Sequence, residues 1–173
     1  MELYTESGNL FLRPAIAKDA SMLARWKDDA YMRKMSIGED AVVTPEIERA
    51  DILHAKKKEF PYWIILLKAN NHPVGYIRCD FMDEKRRMVW LRFGLGERRG
   101  EGHAKPALFE VLRHLTARGV ERFEAEVYAF NTPCVHLLES LGFKREGVKR
   151  KAHHDKEGIH DIFVYGLLTA DSP

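Results

Sequence analysis

Glu97-Arg98-Arg99-Gly100-Glu101-Gly102-His103-Ala104 is the stretch from which the rest of the chain can be read. An apolar run over residues 87–95 precedes it, and beyond it Ala104, Leu108, Val111 and Leu115 recur at intervals of four, three and four. That spacing places the four side chains on one face of a helix, with Pro106 tolerated in the first turn and Gly119 as the C-terminal stop. A glycine-spaced turn between a strand and a helix makes an anion site. The first-turn amides have no intrahelical acceptor, the helix dipole is positive there, and glycine lets a phosphate come close to the backbone.

Working downstream, residues 121–130 alternate: Phe123, Ala125, Val127 and Ala129 share one side of a strand, Arg122, Glu124, Glu126 and Tyr128 the other. Strand, turn, helix and strand form a βαβ unit, so the flanking strands should be parallel with a right-handed crossover. Upstream the pattern differs. Asn9-Leu10-Phe11-Leu12-Arg13-Pro14 reads as a first strand, and residues 17–29 as a helix with Met22, Leu23 and Trp26 on its apolar face. Thr44-Pro45, with Glu46 and Glu48 behind it, opens a second helix that fades near Lys56-Lys57-Lys58. Residues 62–68 and 74–82, joined through Asn70-Asn71, form a hairpin, and Asp83-Glu84-Lys85-Arg86 turns the chain into the strand that reaches the glycines.

With 173 residues, 45% of them hydrophobic, the chain suits one domain spanning residues 1–173, and no repeat or linker interrupts it. A net charge of +2 is too small to point to nucleic acid, and the lysines at 56–58 are expected as a solvated helix end that complements the dipole. Two cysteines without a CxxC pair fit a reducing compartment. The acidic start lacks a signal-peptide pattern, and no apolar run approaches the roughly 20 residues of a membrane span. These features imply a soluble, cytoplasmic protein with no membrane partner and no clear nucleic-acid binding; a homodimer is left open. His153, His154 and His160 with Asp155 and Asp161 raise zinc, but they lack a ligand spacing and flank a hairpin turn, so solvated hairpin residues and no metal are expected.

Two phosphate-binding folds fail on spacing. A dinucleotide fold wants GxGxxG with alternating strands and helices on both sides, and a Walker loop wants Gly-Lys-Ser/Thr. What the residues do resemble is the GNAT superfamily of acetyl-coenzyme A dependent N-acetyltransferases, whose motif Gln/Arg-x-x-Gly-x-Gly/Ala is matched by Glu97-x-x-Gly100-x-Gly102 with a departure at the first position. A second block, Asn131-Thr132-Pro133-Cys134-Val135-His136-Leu137-Leu138-Glu139-Ser140-Leu141-Gly142-Phe143, looks like the family's Asn-x-x-Ser/Ala and the short helix ending in Leu-Gly-Phe. Leu12-Arg13-Pro14, Asp19 and Trp26, with the closing hairpin through residues 155–158, are similar to the branch of ribosomal-protein N-terminal and spermidine acetyltransferases.

The resemblance implies an α+β GNAT fold, a mixed and mostly antiparallel sheet of about six to seven strands with helices on both faces. It implies acetyl-coenzyme A as cosubstrate and a primary amine as acceptor, in a direct attack within a ternary complex. The pantetheine arm would lie between splayed strands ending near Leu95 and Phe130. The pyrophosphate would sit on the amides of Arg98, Arg99, Gly100, Glu101, Gly102, His103 and Ala104, with Asn131 at the mouth of the site. Many relatives carry a tyrosine on the short helix to protonate the leaving thiolate, where this chain has Leu138. Cys134 stands where some ribosomal-protein acetyltransferases have a serine, so it is a candidate acid against the plainer reading of a packed small side chain. Glu126, nearer the cofactor end than Glu124, is the candidate base against a solvated strand carboxylate. A non-catalytic acyl-coenzyme A binding module is the competing class.

Overall fold

Strand β3 (Tyr62–Leu67) is buried along nearly its whole length, and its alternation sends side chains into two separate cores. Tyr62, Ile64 and Leu66 face one layer, where they meet Leu23 and Trp26 of α1 (Ala20–Asp28) and Ile52 of α3 (Pro45–Lys58). Trp63 and Ile65 face the other, with Leu108, Val111 and Leu115 of α4 (Ala104–Thr116) and Leu138 of α5 (Thr132–Ser140). A strand apolar on both faces needs a helical cover on each side, and this α+β layering supplies it.

In this computed structural model, which describes residues 1–171, the sheet order is β1-β2-β3-β4-β5-β6-β8-β7. The strands are β1 (Leu3–Tyr4), β2 (Leu10–Pro14), β3, β4 (His72–Phe81), β5 (Met88–Leu95), β6 (Arg122–Tyr128), β7 (Lys144–Asp155) and β8 (Gly158–Leu168). Every neighbouring pair is antiparallel except β5 and β6, the βαβ pair expected around α4. The sheet has eight strands rather than six or seven. The extra one is β1, whose two residues pair with Leu12 and Phe11 and are too few to carry a period of two.

Local chemistry sets the helix ends. The Thr44 hydroxyl accepts from the Ile47 amide at 3.1 Å with Pro45 as first helical residue, and Glu59 in the left-handed region closes α3. Asp19 accepts both guanidinium bonds of Arg13 at 2.8 Å, which ties the end of β2 to the start of α1. After α1 the chain makes a short α2 (Ala30–Met32) and a π-helical turn over Arg33–Ile37, which no periodicity announced.

The end of β5 is fixed from below by Trp26. A Cβ built at Gly96 would lie 2.1 Å from the indole ring, so only glycine lets this strand end rest on α1. Gly96→Ala should therefore act as overpacking, costing roughly 1–3 kcal/mol and lowering the thermal midpoint by about 2–12 °C. Calorimetry of the purified variant checks this; an unchanged midpoint would mean that Trp26 does not hold the strand.

Candidate functional site

β5 and β6 are paired only where they begin, at Met88 with Arg122, Val89 with Phe123 and Trp90 with Glu124. Beyond Trp90 each strand stays bonded to its other neighbour, β4 or β8, and the two part. Their facing edges then carry backbone groups without a ladder partner, which a bound chain can satisfy. Two cavities open in the gap. One, of about 320 Å³, is bordered by Trp90, Arg92, Glu126 and Tyr128. The other, of about 290 Å³, runs to the glycine turn along Leu95, Gly100, Gly102, His103 and Ala104. Both are lined by Met35, Ser36, Phe93, Asn131 and Cys134, so they meet in the middle of the gap. A larger cavity of about 690 Å³ lies at the opposite end, between the C-terminal ends of α3 and α4, away from the turn.

The backbone of the turn is the candidate anion cradle. Arg98, Gly100 and Gly102 have φ of 56°, 78° and 81°, and Arg99 and Glu101 between them do not have positive φ, the alternation that forms a nest of amides. Among the described residues, the amides of residues 98–103 donate to no backbone carbonyl. α4 starts behind His103 with no side-chain cap, and the buried His103 Nε2 has no partner. A Cβ at Gly100 or Gly102 would touch nothing within 4 Å, so these glycines serve the handedness of the backbone and leave the concave side open.

Side chains of the turn are mostly spoken for. Glu97 accepts from Trp26 Nε1 at 3.0 Å and lies 3.2 Å from His72 Nε2, away from the nest. Arg99 donates to the Leu95 carbonyl and to Asp29, both at 2.8 Å, and lies over the Tyr31 ring. Arg98 pairs with Glu101 at 2.9 Å, with both side chains about half exposed. The amides of the turn are together; its two guanidiniums are not.

At the junction, Asn131 Oδ1 accepts from the Cys134 amide at 3.2 Å and caps α5, while its Nδ2 donates to the Met35 carbonyl at 3.0 Å. One buried side chain thus joins the π-helical turn to α5. Cys134 borders both cavities, and burial pushes its thiol up to about 12. Leu138 is fully buried in the core beneath and borders neither. Glu126 borders the first cavity and pairs with Lys149 of β7, whereas Glu124 is taken by Arg122 at 2.9 Å. Tyr31, Met35, Ser36, Tyr76, Trp90 and Arg92 were not anticipated from the sequence. The π-helical turn breaks the helical period, leaving only the adaptable Met32 and Met35 as a hint of a cavity wall.

The closing hairpin departs from the solvated reading. Asp155 is buried at the tip of β7, where Lys34 of the π-helical turn donates to it at 2.8 Å and to Glu157 at 2.7 Å. His160 Nε2 lies 2.9 Å from Asp155, and His153 stacks on Tyr128 with centroids 3.9 Å apart. The Lys156 amide donates to Glu39 at 3.1 Å. This clasp closes the wall of the first cavity, and a lysine ammonium stands where a cation would bind. Among the described residues, no three metal-type side chains converge on one point.

Lys34 holds the Asp155 carboxyl well below the usual carboxylate range, and burial lowers His153 from its ordinary 6.5. The loosened hairpin therefore binds a proton at His153 more readily than the packed one, so acid below about pH 6.5 weakens the clasp. The Asp155 contribution is complete above its ordinary value of 3.8 and fades only below it. Amide exchange over residues 153–160, corrected for intrinsic rates, should accelerate severalfold from pH 7.5 to 5.5 in the native chain. His153→Phe, which keeps the stack, should remove most of that dependence.

Comparison with known proteins places this geometry. Residues 9–144 match the family model described as "Acetyltransferase (GNAT) domain". An uncharacterized N-acetyltransferase, p20 of Bacillus licheniformis, is 26% identical over 174 aligned residues, covering 98% of this chain and 97% of the relative. A crystal structure of a GNAT-family acetyltransferase from Bacillus anthracis superposes with a TM-score of 0.79 at 20% identity, over 97% of this chain and 98% of that one. RimL, a ribosomal L7/L12 α-N-protein acetyltransferase solved with coenzyme A in disulfide linkage to its own Cys134, superposes with a TM-score of 0.83 at 18% identity, over the same shares of each chain.

Proposed function

The chain belongs to the GNAT acetyltransferase family, and from that premise we propose that it transfers acetyl from acetyl-coenzyme A to a primary amine, a protein N-terminus or a small amine, by direct attack in a ternary complex. The observation that carries this reading is the parting of β5 and β6 after Trp90 and Glu124, with two cavities meeting at Asn131 and Cys134. One cavity leads to an unpartnered amide nest, which fits a pyrophosphate; the other is a separate entry for an acceptor. RimL, which shares the fold, is solved in complex with coenzyme A, which supports coenzyme A as the carrier here.

Acetyl-coenzyme A would supply an activated acyl group: the amine nitrogen bonds to the thioester carbon, the carbon–sulfur bond breaks with its electron pair on sulfur, and the proton that the nitrogen loses on attack passes through water to the thiolate, so that coenzyme A leaves as the thiol. The free edges of residues 91–95 and 125–128 hold the pantetheine arm, and the nest over residues 98–104 holds the diphosphate. Asn131 keeps the π-helical turn against α5, so that both substrates meet in one geometry. Glu126 borders the acceptor side, draws the ammonium form of the amine and takes its proton, directly or through water.

In this reading Cys134 packs the junction, and its burial, which pushes the thiol up to about 12, makes it a poorer proton donor than an ordinary thiol. A second reading, a non-catalytic acyl-coenzyme A binding module, is favoured by the same fact, because with Leu138 in the core α5 offers no easy acid.

Two measurements decide among these. Coenzyme A release, followed by thiol titration across a broad amine panel with mass analysis of the product, should occur with at least one amine; binding without release from any would favour the module. Given turnover, Cys134→Ala should keep kcat within about threefold, while Glu126→Gln should lower it roughly 10²-fold. Gly102→Ala, forcing a side chain into the left-handed region, should weaken coenzyme A binding about tenfold by calorimetry.

A further inference from the structure

The acceptor cavity contains one charged group that the account above does not use. Arg92 borders it on β5, on the same face as Trp90, and its side chain lies over the Trp90 ring with 5.0 Å to the centroid. Its Nη2 donates to Asp80 at 2.6 Å, but Asp80 also accepts from Arg78 Nε at 2.7 Å, so one carboxylate is divided between two guanidiniums. The Arg92 side chain is still 40% exposed, so the remaining N–H groups of its guanidinium are open to an acceptor in the cavity that it borders.

The register says what stands opposite. The last paired residues are Trp90 and Glu124, so the next residues on that face, Arg92 and Glu126, look at each other across the parting strands. They do not pair with each other; Glu126 goes to Lys149 and Arg92 to Asp80. A cation and an anion are thus held on opposite walls of a cavity of about 320 Å³, near the lower end of the roughly 300–1,000 Å³ of ligand sites. Much of the remaining wall is apolar or aromatic, including Met35, Phe93, Tyr128 and Ile162.

Resting on the acetyl-transfer reading, we propose that the acceptor is a primary amine that carries a carboxylate a few atoms away, with an apolar side chain. Arg92 takes the carboxylate through its free terminal N–H groups, Glu126 takes the ammonium, and the apolar wall takes the side chain. A free α-amino acid has this chemistry, and so does a peptide N-terminus whose second residue is acidic. A polyamine does not, because it would set a second ammonium against Arg92. Arg92 is a specificity-determining residue and not a proton carrier.

The test compares L-leucine, L-methionine and L-phenylalanine with their amides, Ser-Glu-amide with Ser-Gln-amide, and spermidine. Each is measured twice, for acetylation and for binding to the acetyl-free protein by calorimetry. The carboxylate-bearing member of at least one pair should bind and react at least about thirtyfold better than its neutral partner. Which pair responds separates the free amino acid from the peptide. Arg92→Gln should erase that preference by raising KM for the carboxylate acceptor, with kcat little changed; Arg92→Lys, which keeps the charge beside Asp80, should restore part of it and guards against misfolding. Equal or better use of the amides or of spermidine overturns the proposal and leaves acetyl transfer standing. Selective, Arg92-dependent binding without any coenzyme A release upholds the ligand class and overturns acetyl transfer. No binding and no reaction with any carboxylate amine overturns the proposal.

Discussion

The site depends on a ladder that stops. Three paired positions join β5 to β6, and beyond them the amides and carbonyls on the facing edges of the two strands have no partner in the ladder. Backbone groups left this way are expensive unless something satisfies them, so the sheet must be held open by forces from elsewhere. β4 and β8 pull outward through continuous antiparallel pairing, to Leu95 on one side and Tyr128 on the other. From below, Trp26 and Met32 press against glycines at the end of β5, where any larger residue at 94 or 96 would collide with them. Asn131, buried and doubly bonded, then fixes α5 and the π-helical turn over the opening.

Much of this architecture was legible because it is written in periods. α4 shows its apolar face at spacings of three and four, and β6 alternates, so the βαβ unit and its parallel pairing could be read directly. α3 was legible from its cap, since Thr44-Pro45 has one physical use at that position. What could not be read has no period. β1 is too short, the π-helical turn runs against both helical spacings, and the clasp joins Lys34 to Asp155 across 121 residues. The candidate site divides in the same way. Its glycine turn is local in sequence and was visible; the wall of the first cavity, with Tyr76, Arg92 and Ser36, comes from three distant segments and was not.

The hairpin shows why composition misleads at such a place. Residues 153–161 hold three histidines and two aspartates, which read as solvent-facing or as metal ligands. Folding instead buries Asp155 and gives it a lysine, a histidine and a backbone amide as donors. A buried carboxylate is tolerable only with such partners, and each of them fixes a different element: Lys34 the π-helical turn, His160 the strand β8, the Glu157 amide the hairpin's own tip. The acidic tip is therefore a tether, and the cavity wall that includes Tyr128 and Ile162 is as firm as that tether.

Glu97 carries the last step. Against the family's Gln or Arg at the first motif position, a carboxylate next to a diphosphate site looks like an obstacle, since like charges within a few Å repel. The geometry removes the conflict. Glu97 turns its oxygens to Trp26 and His72, on the side of β5 where α1 packs, while the amides of residues 98–103 are left without backbone acceptors in the turn. The position is thus used to fasten the strand end to Trp26. A residue that departs from the motif supports the cleft by its side chain, and the anion site is left to the backbone, where the identity of residue 97 has little effect on it.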